Sequence, residues 1–201
     1  MDLFSEEKQV LQLPGAELVY YPNFCAKPEA DLLFNSLKTS TNWQEDDIKL
    51  FGKVYKQPRL TALYGESNKP YSYSSITMYP QSFPENIKSL KTKIETISQE
   101  KFNTVLLNLY RDGNDSNGWH ADNEKELGKH PVIASLTLGE ERPFHFKHRR
   151  IKEQRHKIIL EHGSLLIMKA PMQEHWLHQI AKTKRKIGER INLTFRNIIN
   201  N

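Results

Sequence analysis

The sequence predicts an α+β protein with a two-sheet jelly roll as its core and N-terminal helices packed on one sheet. Two observations carry this. Helical spacing of apolar residues is confined to the first half, whereas from residue 102 onward short runs rich in Val, Ile, Leu, Phe and Thr follow one another between turn signals. No helical segment alternates with those runs, which excludes a doubly wound parallel sheet and leaves a jelly roll as the natural arrangement.

Residues 1–20 read as a weakly ordered lead-in ending in a short strand, Glu17–Tyr21, and residues 21–201 as a single domain. Lys27–Thr39 is expected to be helical. Pro28 suits a first turn, where its missing N–H costs nothing, and Leu32, Leu33 and Leu37 supply an apolar stripe. Residues 41–82 are rich in Tyr, Pro, Ser, Gly and Lys and read as short strands and loops. Pro84–Ser98 is a second helix, with Ile87, Leu90, Ile94 and Ile97 at helical spacing after a first-turn proline. The strand runs that follow are Asn103–Tyr110, Val132–Leu138, Phe144–His148, Lys157–Leu160, Ser164–Lys169, His175–His178 and Arg190–Ile198. His162-Gly163 separates two of them as a tight turn.

The charge balance is +5, which favours a polyanionic partner over an acidic protein. No run of about 18 apolar residues is present, so no membrane span is expected. The N-terminal MDLFSEEKQV lacks an apolar h-region and does not read as a secretory signal. Cys25 is the sole cysteine, so no internal disulfide can form, and a reducing compartment fits. The cytoplasm is expected. Frequent Lys and Asn hint at an AT-rich, bacterial genome, with the nucleus as the location if the source is eukaryotic. A monomer is expected.

Side chains at i and i+2 of a strand share a face. In Trp119-His120-Ala121-Asp122 the imidazole and the carboxylate therefore meet at one point if the segment is extended. A third ligand from a distant strand would complete a 2-His-1-carboxylate site, which leaves metal positions open and is associated with non-haem Fe(II) oxygenases. Zinc is the second choice. By spacing alone the third ligand is open among His162, His175 and His178.

Arg190 through Arg196 alternates without a break. Ile191, Leu193 and Phe195 form one face, and Arg190, Asn192, Thr194 and Arg196 the other. The polar face is either solvated or a site for a small dicarboxylate, since guanidinium groups grip carboxylates in a bidentate fork. Asn108 and Tyr110, another i, i+2 pair, are placed to donate to the same ligand, with Leu109 turned to the core.

Together, Asn108-Leu109-Tyr110-Arg111-Asp112-Gly113, Trp119 through Glu124, His162-Gly163-Ser164-Leu165-Leu166, His175-Trp176-Leu177-His178 and Arg190 through Arg196 resemble the AlkB family of Fe(II)/2-oxoglutarate-dependent dioxygenases. The resemblance covers roughly residues 55–200 and is nearest the nucleic-acid repair branch. It implies a double-stranded β-helix, the jelly roll already read, with a catalytic core over about 102–200. It also implies that His178 is the third iron ligand and that His175 is structural. 2-Oxoglutarate would chelate the iron, held by Arg190, Arg196, Asn108, Tyr110, Asn192 and Thr194. A nucleotide-recognition segment is implied over about 50–82, where Tyr71-Ser72-Tyr73-Ser74 is similar to the stretch that cups a damaged base. Ala121 departs from the family, where Ser or Arg is common, but its side chain should face away from iron.

The implied reaction couples O2 and the decarboxylation of 2-oxoglutarate to succinate with hydroxylation of an N-methyl group on a base of the 1-methyladenine or 3-methylcytosine type. The hydroxymethyl product then loses formaldehyde. Such a methyl is hidden in a duplex, so the base must be flipped out or the strand single. Tyr73, Tyr71 and Trp119 are the expected stacking residues. Glu124, two beyond Asp122, would accept from an exocyclic amine, and Arg59 would help hold the pocket closed. Two basic stretches, Lys147–Lys157 and Lys182–Lys186, suit phosphates. Alkylated DNA is the expected substrate, with RNA or a protein side chain as alternatives. A non-catalytic binding module on the same fold is a further alternative, which loss of a triad member or an arginine would have favoured.

Overall fold

The computed structural model describes residues 8–50, 52–67, 71–73 and 76–199. The chain begins with a hairpin, β1 (Gln9–Leu13) and β2 (Ala16–Tyr21), followed by α1 (Lys27–Ser40). Five short strands come next: β3 (Asp47–Leu50), β4 (Lys53–Lys56), β5 (Leu60–Gly65), β6 (Tyr71–Tyr73) and β7 (Ile76–Met78). After α2 (Glu85–Ser98) the chain is almost all strand: β8 (Thr104–Tyr110), β9 (Asn117–His120), β10 (Ile133–Gly139), β11 (Arg142–His148), β12 (Arg155–Leu160) and β13 (Leu165–Lys169). A one-turn helix α3 (Met172–His175) leads into β14 (Trp176–Ile180), and β15 (Arg190–Arg196) closes the fold.

Two sheets make the jelly roll. The larger has seven strands in the order β1-β2-β13-β10-β15-β8-β5, and the smaller four, β12-β11-β14-β9. All the pairings are antiparallel. One face of the larger sheet presents Val105, Leu107, Ala134, Leu136, Ile191, Leu193 and Phe195 to the helices. There they share one core with Ala30 and Leu37 of α1 and with Ile87, Leu90 and Ile94 of α2. The helical stripes exist to cover this face. A second core of Leu18, Tyr110, Phe144, Phe146, Met168 and Trp176 fills the space between the two sheets.

Three expectations are corrected here. The lead-in over 1–20 is not weakly ordered in its described part: Gln9–Leu13 and Ala16–Tyr21 extend the larger sheet through β13. Leu18 and Val19 bury in its two cores and so anchor the hairpin. The expected strand His175–His178 begins one residue later, because Met172–His175 forms a helical turn. The run from Trp119 to Asp122 is not extended throughout, since β9 ends at His120. The tight turn at His162-Gly163 is present. Gly163 has φ +79°, and a Cβ there would lie 2.6 Å from the Cys25 carbonyl oxygen, so only glycine fits where α1 approaches. Among the described residues no helix is long and apolar enough to cross a membrane.

Candidate metal centre

The small sheet supplies two of the candidate ligands through register. His120 on β9 stands directly opposite His178 on β14, and their rings lie 4.3 Å apart between centroids. Facing residues of an antiparallel pair share a side of the sheet, so both imidazoles point to the space between the sheets. Beyond β9 the chain bends, and Asp122, 1% exposed, returns to the same point. The Gln173 side chain pins this bend: its carbonyl oxygen accepts from the Asp122 backbone N–H at 3.0 Å. One ligand atom from each of His120, Asp122 and His178 lies within 4.8 Å of the others. His178 Nε2 is 3.6 Å from an Asp122 carboxylate oxygen.

The local electrostatics suit a cation. His120 Nδ1 lies 2.7 Å from the Gly118 carbonyl, and the Asn117 amide lies 3.0 Å from Nε2. That pattern fixes the proton on Nδ1, which donates to the Gly118 carbonyl, and places the Nε2 lone pair toward the triad, where it accepts from the Asn117 amide that a metal would displace. Burial, with the neighbouring His178 charge, pushes the His120 pKa down to about 3, so its ring is neutral at physiological pH. Burial alone would raise Asp122, but the Arg196 guanidinium and the two histidines outweigh it and hold the carboxyl well below its usual range. Phe144 stacks on His178 at 5.1 Å and fixes its ring.

The larger sheet faces this triad with polar groups. The face of β15 that carries Arg190, Asn192, Thr194 and Arg196 is buried, not solvated, because the small sheet covers it. These four residues line one cavity with Asn108, Tyr110, Ser135 and the triad. Arg196 donates to Asp122. Arg190 is 1% exposed and burial pushes its pKa down to about 10, so it stays cationic. Its Nη2 donates to Thr137 Oγ1 at 2.8 Å, while Nε and Nη1 are buried with no hydrogen-bond partner. Two uncompensated donors on a buried cation cost about 1–3 kcal/mol each. A carboxylate in the cavity would relieve both, and this makes the donor set fit 2-oxoglutarate beside iron.

The other expected site residues divide between the cavity wall and its surroundings. Asn192 spends its amide N–H groups on Ser135 Oγ and the Leu136 carbonyl, and its oxygen accepts from Thr194 at 3.0 Å. Both residues therefore line the cavity with their polar groups already engaged. Arg59, 4% exposed, donates to Asn108 Oδ1 at 2.8 Å and to the Ser116 carbonyl at 3.1 Å. It braces β5 against Asn108 and the start of β9. Glu124 and Trp119 do not line the cavity. Glu124 is the N-cap of a 3-10 turn, Lys125–Leu127, and lies beyond the end of β9 at His120, so the strand rule that placed it beside Asp122 does not carry it. Trp119 lies on the outer face of the small sheet, 40% exposed, under the Lys147 ammonium. Tyr71 and Tyr73 lie on β6, paired with β7, and Ser74 lies outside the described residues.

His162 and His175, the other two candidate ligands, lie elsewhere. His162 Nδ1 accepts from the Gly139 N–H at 2.8 Å, and His175 stacks on His148 at 6.0 Å. Sequence reasoning missed Gln173, Asn117, Ser135 and Thr137. The last two carried a signal, as a polar i, i+2 pair in the otherwise apolar run Ile133–Gly139. Gln173 carried none, because it sits in a single helical turn.

Comparison with known proteins agrees with this geometry. The model of the 2OG-Fe(II) oxygenase superfamily matches residues 17–196. The human alpha-ketoglutarate-dependent dioxygenase alkB homolog 3 is 40% identical over 187 residues, covering 89% of this chain and 65% of that protein. The mouse DNA oxidative demethylase ALKBH2 is 33% identical over 208 residues, covering 98% of this chain and 87% of that one. The solved structure of OsALKBH1 aligns with a TM-score of 0.64 at 18% identity, over 94% of this chain and all of that one, and shares the fold. The chain thus spans about two thirds of the human and mouse homolog 3 proteins. It belongs to the AlkB family of the 2OG-Fe(II) oxygenase superfamily, whose cofactors are Fe(II) and 2-oxoglutarate.

Proposed function

We propose that this AlkB-family protein is an oxidative demethylase that repairs N-alkylated bases in DNA. One observation carries the chemistry: the triad of His120, Asp122 and His178 shares a cavity with the buried, half-partnered Arg190. When bound, Fe(II) and 2-oxoglutarate together supply the oxidising power that hydroxylates an N-methyl group.

The chain's own residues position and shield. His120, Asp122 and His178 would hold the metal, with the Gln173 side chain fixing the backbone at the carboxylate and the Gly118 carbonyl orienting the first imidazole through Nδ1. The Nε and Nη1 donors of Arg190, which have no hydrogen-bond partner, would hold a carboxylate of 2-oxoglutarate. Arg196 donates to Asp122 and would balance the charge of that carboxylate beside a bound dicarboxylate. Asn108 and Tyr110 on β8, with Asn192 and Thr194 on β15, shape the remaining wall. Leu106, Phe144, Leu160, Met168 and Ile180 are the apolar part of the lining, which keeps bulk water from the reacting centre.

The assignment to nucleic acid draws on the net charge of +5, the basic loop Lys182–Lys186 that leads into β15, and the tyrosines of β6. DNA as the substrate draws on the mouse relative named as a DNA oxidative demethylase. The test is anaerobic loading with Fe(II) and 2-oxoglutarate, then oxygen and single-stranded oligonucleotides, DNA and RNA, carrying 1-methyladenine or 3-methylcytosine. Succinate and formaldehyde should appear in step with the repaired base in DNA. Succinate without any demethylated base overturns the repair assignment, and demethylation confined to RNA overturns DNA as the substrate.

A further inference from the structure

The displacement of Trp119 from the cavity brings together features that lie far apart in sequence. β9, β14, β11 and β12 contain no Asp or Glu. Their inward side chains, Phe144, Phe146, Trp176, His178 and Ile180, are buried. Lys147 faces Leu177 on one neighbouring strand and Arg155 on the other, and the next outward row pairs His145 with Gln179 and Lys157. Arg155 and Lys157 are exposed, and Lys147 is half-buried. Lys147 Nζ reaches across Leu177 to lie 4.3 Å from the centroid of the Trp119 ring. The nearest carboxylates in sequence, Glu141, Glu153 and Glu161, lie beyond the ends of the strands. The result is a sheet face about three strand spacings wide, roughly 14 Å, whose charged side chains are all basic, with neutral Leu177, Gln179 and Ile159 between them and one exposed indole at its β9 edge.

We propose that this outer face is a second nucleic-acid contact, which binds a single strand outside the metal cavity. Trp119 stacks a base, while Lys147, Arg155 and Lys157 take successive phosphates. The proposal rests on nucleic acid being the substrate. Charge complementarity selects a polyanion, and the exposed indole selects one with unstacked bases, because base–aromatic stacking on a basic surface is how single strands are held without sequence preference. A lysine on its flexible stem can leave the ring for a phosphate as a base takes its place. Trp119 adjoins His120, so the platform begins one residue from the metal centre and can hold the strand flanking the base under attack. An anionic membrane could use the same charges and the indole, so vesicle binding is an outcome of the test.

The experiment uses the full chain and a labelled, unmethylated 20-nucleotide single strand, with binding read by fluorescence anisotropy across a salt series. In Lys147→Glu/Arg155→Glu/Lys157→Glu the affinity should fall at least tenfold. The slope of log K against log salt should shrink by about 2, for three contacts at about 0.7 each. Trp119→Ala should weaken binding by roughly 5- to 150-fold, the range of one base–aromatic stack at about 1–3 kcal/mol. A second readout separates this face from the cavity: kcat/KM on a methylated trinucleotide should be unchanged in the triple variant, while that on a methylated 20-mer falls. Wild-type affinity and salt slope in the triple variant, at an unchanged melting temperature, overturn the proposal. So does an equal loss on the trinucleotide and the 20-mer. Binding to phosphatidylserine vesicles but not to the oligonucleotide overturns it in favour of a membrane. Since anisotropy uses unmethylated DNA, failure here is distinguishable from failure of the demethylase assignment.

Discussion

Arg190→Met replaces a buried guanidinium with an apolar chain of similar length, and two opposed effects follow. The cation has two buried donors, Nε and Nη1, without partners, and one bond, from Nη2 to Thr137 Oγ1. If both free donors bind a 2-oxoglutarate carboxylate, each charge-assisted bond contributes about 1.5–3 kcal/mol. Their loss, about 3–6 kcal/mol, corresponds to roughly a 10²- to 10⁴-fold weaker Kd at 1.4 kcal/mol per decade. In the ligand-free protein the sign reverses. The substitution loses one hydrogen bond, about 1 kcal/mol, and the contact of the guanidinium with the Tyr110 ring at 5.2 Å, about 1–2 kcal/mol, but removes a buried charge whose two idle donors cost about 1–3 kcal/mol each. The ligand-free variant should therefore melt at the wild-type temperature or a few degrees above it, at about 2–4 °C per kcal/mol for a domain this size. Anaerobic calorimetric titration of the Fe(II)-loaded protein with 2-oxoglutarate measures the first effect, and thermal melting of the ligand-free protein the second. Arg190→Lys, which keeps charge without the fork, should fall between wild type and methionine in affinity. An unchanged 2-oxoglutarate affinity with a lowered melting temperature would refute the reasoning and make Arg190 a core residue.

Four more outcomes are expected. His178→Ala should abolish Fe(II) binding by titration, while His162→Ala and His175→Ala retain it; the reverse pattern would reassign the third ligand. Gln173→Leu should weaken Fe(II) roughly 10- to 100-fold, the usual cost of removing a group that orients a metal ligand, whereas Gln173→Glu, which keeps the acceptor oxygen for the Asp122 N–H, should lose less. Adding Fe(II) and 2-oxoglutarate at 100 times their Kd should stabilise the fold by about 2.7 kcal/mol for each independent ligand, and a chelator should reverse the rise in melting temperature. Burial alone would raise the Asp115 carboxyl, but side-chain and backbone hydrogen bonds from Arg111 outweigh it and lower its pKa. Its folded pKa is thus below the unfolded value of about 3.9, so its contribution is full above that pH and lost as the pH falls through the depressed value. Asp115→Asn should melt several degrees below wild type at pH 7, with the gap closing below about pH 4.

What the sequence could and could not disclose divides along local and non-local physics. The alternation of β15 was legible because period 2 is a local property, and so were the two helical stripes. Whether the polar side of β15 meets water or a cavity was not, since the answer lies in a sheet formed by residues 117–180 folding over it. His120 and Asp122 were paired by an extended-strand argument, yet the strand stops at His120 and Gln173, 51 residues away, brings Asp122 round. Histidine spacing could not choose among three candidates, because the deciding fact is the register His178↔His120 across β14 and β9. The resemblance carried that register implicitly. The same local rule was applied to Glu124 beyond the end of β9 at His120, and Trp119, expected as an aromatic to stack a base, turns away from the cavity because it alternates with His120.

The two sheets divide the work in a way that explains where the fold tolerates cost. The helix-facing side of the large sheet is apolar in β8, β10 and β15, so its burial is uncompromised and can anchor the domain. The opposite side of the same strands carries Asn108, Ser135, Thr137, Arg190, Asn192, Thr194 and Arg196 in the interior. There most polar groups are satisfied internally, as in Thr194–Asn192–Ser135 and Arg59–Asn108, and the network sets side-chain direction without a ligand. Arg190 is the exception, with charge and donors left over. A core selected for stability alone would pair or replace that guanidinium, since an apolar isostere of a buried charge is often neutral or stabilising. Its retention beside three groups that can hold a metal is the physical signature of a site built for an anion that arrives with the metal.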